Sequence, residues 1–292
     1  MTGLNDDAQG EARYQALSRL PPVPDSIPRL VAALYDESWR VRKLASELLS
    51  RAEATPPLLT ALLGVLADRG QTGARNAAAS ALALLGAEAV GPLVTLLGHA
   101  DADQRKLAAD VLGEVRRPEA VPALLNALQD ADLNVQAAAA EALGRIGGHE
   151  ACRALERLLR ASEPLLQVAA LEGLAQQAHA PPLPLVVPLL APAATRRSAY
   201  RVLGRVSHPA AFTLLLQGLG TAARDAALAG LGAREVPPGA DGDAAIGAVA
   251  RRIDDAQARL AQALRGDDLA ARRGALWVAS AWNRASLAPA VA

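Results

Sequence analysis

The stretch Val121–Gly147, VPALLNALQDADLNVQAAAAEALGRIG, decides the fold. Val121, Leu124, Leu125 and Leu128 share one helical face, and Pro122 stands in the first turn, where its missing N–H removes no hydrogen bond. Asp130, Asp132 and Asn134 supply turn and capping chemistry. A second helix follows with Val135, Ala139, Ala142, Leu143 and Ile146 on its apolar face, and Gly147-Gly148 stops it. The stretch predicts a helical hairpin with too little core to stand alone.

The chain repeats that hairpin. With Val135 as position zero, the equivalents are Val41, Ala74, Gln104, Val135, Leu166, Thr195, Ala223 and, more loosely, Ala271. The steps are 33, 30, 31, 31, 29, 28 and then 48 residues. At plus four every copy has alanine: Ala45, Ala78, Ala108, Ala139, Ala170, Ala199, Ala227 and Ala275. At plus eight the first seven have leucine, from Leu49 to Leu231, and at plus one stands arginine or, in two copies, Gln136 and Gln167. Positions zero, four and eight lie in one helical stripe. A small residue in the middle lets the neighbouring helix approach, and leucine fills the layer between repeats. A period in this range predicts a solenoid of stacked hairpins. A terminal repeat lacks one neighbour, so the copy at Ala275 should be looser.

The pattern P-x-L-x-x-L…D-x-x-x-V-R-x-x-A-x-x-A-L-G resembles the short HEAT-like repeats named after the phycobilisome lyases, from Ile27 to Gly232 and more loosely beyond. The resemblance implies an all-α fold, a right-handed α-α superhelix of about seven to eight hairpins. Bacterial proteins with similar repeats include bilin-lyase subunits and signalling adaptors.

Residues 1–24 should hold a mobile start (1–10) and a short capping helix over Glu11–Leu20. Repeats 1–7 should fill 25–232, with the first helix of repeat six shortened by Pro184 and Pro188. Residues 233–292 should hold an inserted loop, Gly232–Gly242, then a helix from Ala244 to Leu264 and a last helix from Leu269 to Trp282.

Thirty basic and thirty acidic residues cancel, so no whole-chain attraction to nucleic acid or membrane is expected. Aromatics are 2% of residues, too few for an aromatic-rich ligand pocket or for gripping an everted base. Cys152 is the only cysteine, and no apolar run has membrane-spanning length. The start, MTGLNDDAQGEARYQ, lacks a signal-peptide pattern, so a cytoplasmic location is the expectation.

No catalytic motif emerges. His149-Glu150 has the residue pair used by the deoxyhypusine hydroxylases, but His99, His179 and His208 have no adjacent carboxylate, and one pair cannot build a two-metal site. Gly218-Leu-Gly220-Thr-Ala-Ala223 matches a dinucleotide fingerprint in letters only, because AAFTLLLQ before it reads as a helix rather than a strand. Cys152, within ACRALERLL, reads as a structural thiol. No cofactor and no metal are expected. The arginines at plus one read as partners of turn acids such as Asp36, Asp101 or Asp267 and of neighbouring carbonyls. A phosphate-binding stripe is the alternative.

The side chains at plus two and plus six point away from the apolar stripe, towards the inner, second-helix face. Plus six gives Glu47, Ser80, Asp110, Glu141, Glu172, Arg201, Ala229 and Trp277; plus two gives Lys43, Asn76, Lys106, Ala137, Val168, Arg197, Asp225 and Arg273. Lys43–Glu47 and Lys106–Asp110 can pair along the helix, whereas Glu141 and Glu172 lack such a partner. A row of Glu47, Asp110, Glu141 and Glu172, ended by Arg197 and Arg201, is either a solvated face or a docking surface for a protein partner with a basic segment. Trp277 should be partly exposed. The leading expectation is a scaffold or adaptor, with a bilin-lyase-like subunit and a DNA-binding protein as alternatives; the sequence leaves the oligomeric state open.

Overall fold

The computed structural model describes residues 3–177, 179–233 and 255–282, and among them there is no strand. Two compact units divide the chain, Met1–Ala142 and Leu143–Ala292.

The first unit holds α1 (Gly3–Ser18), α2 (Ile27–Ala32), α3 (Trp39–Leu49), α4 (Pro56–Ala67), α5 (Thr72–Leu85), α6 (Ala87–Leu96), α7 (Ala102–Val115), α8 (Val121–Ala127) and α9 (Leu133–Ile146), whose last residues fall in the second unit. Hairpin partners pack together, α4 on α5 and α6 on α7, and successive second helices lie side by side, α3 on α5 and α5 on α7. The second unit continues with α10 (His149–Leu158), α11 (Pro164–Gln176), α12 (Leu183–Val186), α13 (Ala193–Leu203), α14 (Pro209–Leu219), α15 (Arg224–Gly232), α16 (Ala256–Arg265) and α17 (Leu269–Trp282). Here α11, α13, α15 and α17 pack in succession. Repeat six has the short first helix its prolines demand, one turn followed by the 3₁₀ segment Val187–Leu190.

The register is that of the sequence. All eight residues at position zero are buried. The eight alanines at plus four and the seven leucines at plus eight have no exposed surface at all. Ala275 is as buried as the rest, so the end of the array is not loose at this layer. The reason is close backbone approach. A Cβ on Gly232 would meet the Ala270 carbonyl, and one on Gly274 the Leu228 carbonyl. Glycine serves the same purpose where the last turn of α9 meets α11: a Cβ on Gly173 would lie 3.0 Å from the Gly144 Cα and 2.9 Å from Leu155 Cδ1.

The turn chemistry of the opening stretch is as expected. Asp130 Oδ1 accepts the Asp132 N–H at 2.9 Å, and Asp132 Oδ1 accepts the N–H groups of Asn134 and Val135 at the start of α9. Gly147 and Gly148 stop that helix at φ of 79° and 93°, a region open to glycine.

One expectation needs correction, and another lies partly outside the described residues. The first helix is not confined to Glu11–Leu20; it runs from Gly3 to Ser18. Gly10 within it is buried, with Ser38 at the α3 N-terminus 3.7 Å from where a Cβ would stand. The helix expected from Ala244 is described only over Ala256–Arg265; its earlier part and the loop beyond Ala233 lie outside the described residues.

The plus-one residues reach back to the end of their own first helix. Arg42 Nη1 donates to the Asp36 and Glu37 carbonyls at 2.7 and 2.8 Å, Gln136 to Asp130 O at 2.6 Å, Gln167 to Ala161 O at 2.7 Å and Arg224 to Leu219 O at 2.8 Å. Arg196 bonds Leu190 O and Ala191 O. These carbonyls have no partner within the helix, and a cation there also suits the dipole. The expected acid partners are different ones. Asp36 is held by Arg13 and Asp101 by Arg69, while Arg105 grips Asp130 through two hydrogen bonds of 2.7 Å.

Candidate partner-binding face on the second helices

With positions zero, four and eight turned inward, the opposite side of each second helix faces outward, and grooves form between neighbouring second helices. In the first unit a groove of about 570 Å³ lies between α3 and α5. Lys43, Glu47, Asn76 and Ser80, the plus-two and plus-six residues of two successive copies, line it. Trp39 and Leu84 stand at its ends with 64% and 58% of their surface exposed. A hollow of about 500 Å³ on the other side of Trp39 is bordered by α1, where Arg40 lies 5.0 Å above the Tyr14 ring and 3.0 Å from Glu11.

The second unit repeats the arrangement. Arg197 and Asp225 line a hollow of about 260 Å³ between α13 and α15. Glu172, Arg201 and Arg205 line another of about 190 Å³, with Ala229. The small residues Ala137 and Ala229, although at outward positions, are buried.

The acidic row is largely neutralised by its own chain. Glu47 lies 4.0 Å from Lys43, and Asp110 lies 2.8 Å from Lys106. Glu172, read from the sequence as lacking a partner, receives Arg201 at 3.0 Å and the Ser198 hydroxyl at 2.6 Å, both from the next second helix. Sequence spacing along one helix could not show a partner that arrives from the neighbouring copy. Glu141 is exposed on α9, and Arg197 is exposed on α13. Trp277 is half-buried, with the Arg273 guanidinium 5.1 Å above its ring.

The sequence reading missed Trp39, Leu84 and Arg205. Trp39 is at minus two, and Leu84 and Arg205 are at plus ten. Each extends the plus-two, plus-six row by one further step of four residues, the spacing of a single helical stripe. Following the stripe to its ends would have found them.

The candidate chemical groups sit apart. His149 and Glu150 are exposed at the start of α10, while His179 Nε2 meets Glu156 at 2.8 Å. Among the described residues no three His, Cys, Asp or Glu side chains are grouped to hold a metal. Cys152 is buried, and burial pushes its thiol pKa up, which keeps it a poor nucleophile. Gly218 lies in α14, packed under the Tyr200 ring, so the fingerprint letters have no strand before them. Among the described residues no helix is long and apolar enough to cross a membrane.

Residues 90–174 match the family model described as HEAT repeats, the segment that holds the copies at Gln104, Val135 and Leu166. That segment carries HEAT-like repeats. No curated protein matches it. Among solved structures, this chain is similar to an engineered protein, with 21% identity over 99% of this chain and 89% of that one and a TM-score of 0.43. It is also similar to human deoxyhypusine hydroxylase in complex with glycerol, with 21% identity over 77% and 96% and a TM-score of 0.36. A third likeness is to the Escherichia coli protein YibA, with 13% identity over 72% and 81% and a TM-score of 0.44.

Proposed function

We propose that this protein is a non-catalytic adaptor that docks a protein partner on the outward face of its second helices. HEAT repeats in general serve protein–protein interaction, and repeat arrays bind along extended surfaces made by equivalent positions of successive repeats. One observation carries the reading: in both units the grooves open between neighbouring second helices and are lined by the same repeat positions. Trp39 and Leu84 supply large apolar contacts, and the surrounding polar groups suit the rim of an interface.

A photo-crosslinking residue placed at Ser80 or Asp225, on second helices, should capture the partner in cells. The same residue at Thr60 or Gln217, exposed on first helices, should not. Crosslinks confined to the first-helix positions would contradict the proposal.

A further inference from the structure

The second-helix face of the second unit carries a positive strip. Arg197 and Arg201 are one helical step of four residues apart on α13, and Arg205 follows at the same interval just beyond its end. Arg197 borders one hollow, while Arg201 and Arg205 border the other. Arg197 and Arg205 have no carboxylate partner among the described residues. Arg201 uses only Nη1 on Glu172, which leaves its Nε–Nη2 edge, the bidentate edge of a guanidinium, without a carboxylate.

We propose that Arg197, Arg201 and Arg205 dock an acidic helical segment of the protein partner, one with carboxylates every four residues. This rests on the reading of the second-helix face given above and adds the partner's chemistry. Four residues rise about 6 Å along a helix, so a helix laid along α13 with Glu at i, i+4 and i+8 offers three carboxylates at the interval of the three guanidiniums. Guanidinium–carboxylate pairs are short and directional, which gives the match its specificity. A nucleic acid fits less well. Glu172 on one side and Asp225 on the other confine the positive charge to a strip one helix wide, where flanking phosphates would be repelled. Tyr200 of the same helix is buried, so it offers no surface for base stacking.

The test uses fluorescent synthetic helical peptides and the full chain. One peptide carries Glu at i, i+4 and i+8; a second has the same composition with its Glu residues spread around the helix; a third has Lys for Glu. A single-stranded oligonucleotide and a short duplex complete the set. The in-register Glu peptide should bind about tenfold more tightly than the spread one, and binding should weaken with salt. The double variant Arg197→Ala/Arg205→Ala, at one exposed and one half-buried position, should lose that preference while melting as the parent does. Equal binding of the two Glu peptides, or none, would overturn the strip. So would an oligonucleotide that binds more tightly than any peptide and is lost in the double variant. Because crosslinking at Ser80 and Asp225 needs no acidic partner, its success beside failed peptides would remove this inference alone.

Discussion

Gln104 occupies position zero, where the other copies place valine, leucine, alanine or threonine, and it is buried with its Oε1 lacking a hydrogen-bond partner. An unsatisfied buried acceptor keeps its desolvation penalty, so Gln104→Leu should stabilise the protein by about 1 kcal/mol in denaturant melts. A loss would mean that the amide is satisfied in solution. Ala139, with no exposed surface, gives the opposite case: Ala139→Leu should cost roughly 1–3 kcal/mol by overpacking. The copy at Ala275 is equally buried, and Ala275→Leu should be no milder. Asp130 supplies a pH signature. Its hydrogen bonds from Arg105, with smaller help from the Asp132 N–H, hold its carboxyl below the usual carboxylate range. A lowered folded-state pKa adds stability above the unfolded value, near pH 4, and that stability fades as pH falls through the lower folded value. Asp130→Asn should therefore melt earlier than the parent at pH 7, and the gap should narrow as the pH is taken down below the ordinary carboxylate range. A constant gap would place the effect in packing.

Between helices, glycine has two roles that differ in sign on substitution. Gly173 meets Gly144 closely, so Gly173→Ala must push α9 and α11 apart and should lose about 1–3 kcal/mol. Gly64, within α4, has nothing within 4 Å of where a Cβ would stand, and Gly64→Ala should gain roughly 0.5–1 kcal/mol. Chemical denaturation of both variants reads the difference directly. The alanine and leucine columns made the repeat legible in the sequence, because burial at every fourth residue leaves a mark on every copy. The Pro-shortened helix of repeat six and the Asp132 cap were legible for the same local reason. Glycine contacts between helices were not, since each depends on which residue faces it from the next copy. The same blindness explains Glu172. Its partners Ser198 and Arg201 lie one repeat away, beyond any i, i+4 test.

At the scale of the whole chain, thirty basic and thirty acidic residues cancel, yet that balance conceals local order. Glu47, Asp110 and Glu172 at the outward positions are matched by Lys43, Lys106 and Arg201, while Arg197 on α13 and Arg205 just beyond it have no carboxylate partner among the described residues. A charge reversal at Glu172 should thus do more than alter a surface: Glu172→Lys faces Arg201 and should lower the melting temperature, where a solvated carboxylate would tolerate it. Partners are proposed to meet the second helices. Hydroxyl-radical footprinting of the complex tests this most directly, since exposed large side chains occur on both kinds of helix. Trp39 and Leu84 stand on second helices, whereas Tyr35 and Val187 stand in the first-helix segments of their repeats. Binding should protect Trp39 or Leu84, or both, and leave Tyr35 and Val187 as reactive as in the free protein; protection of Tyr35 and Val187 with Trp39 and Leu84 unchanged would contradict the account.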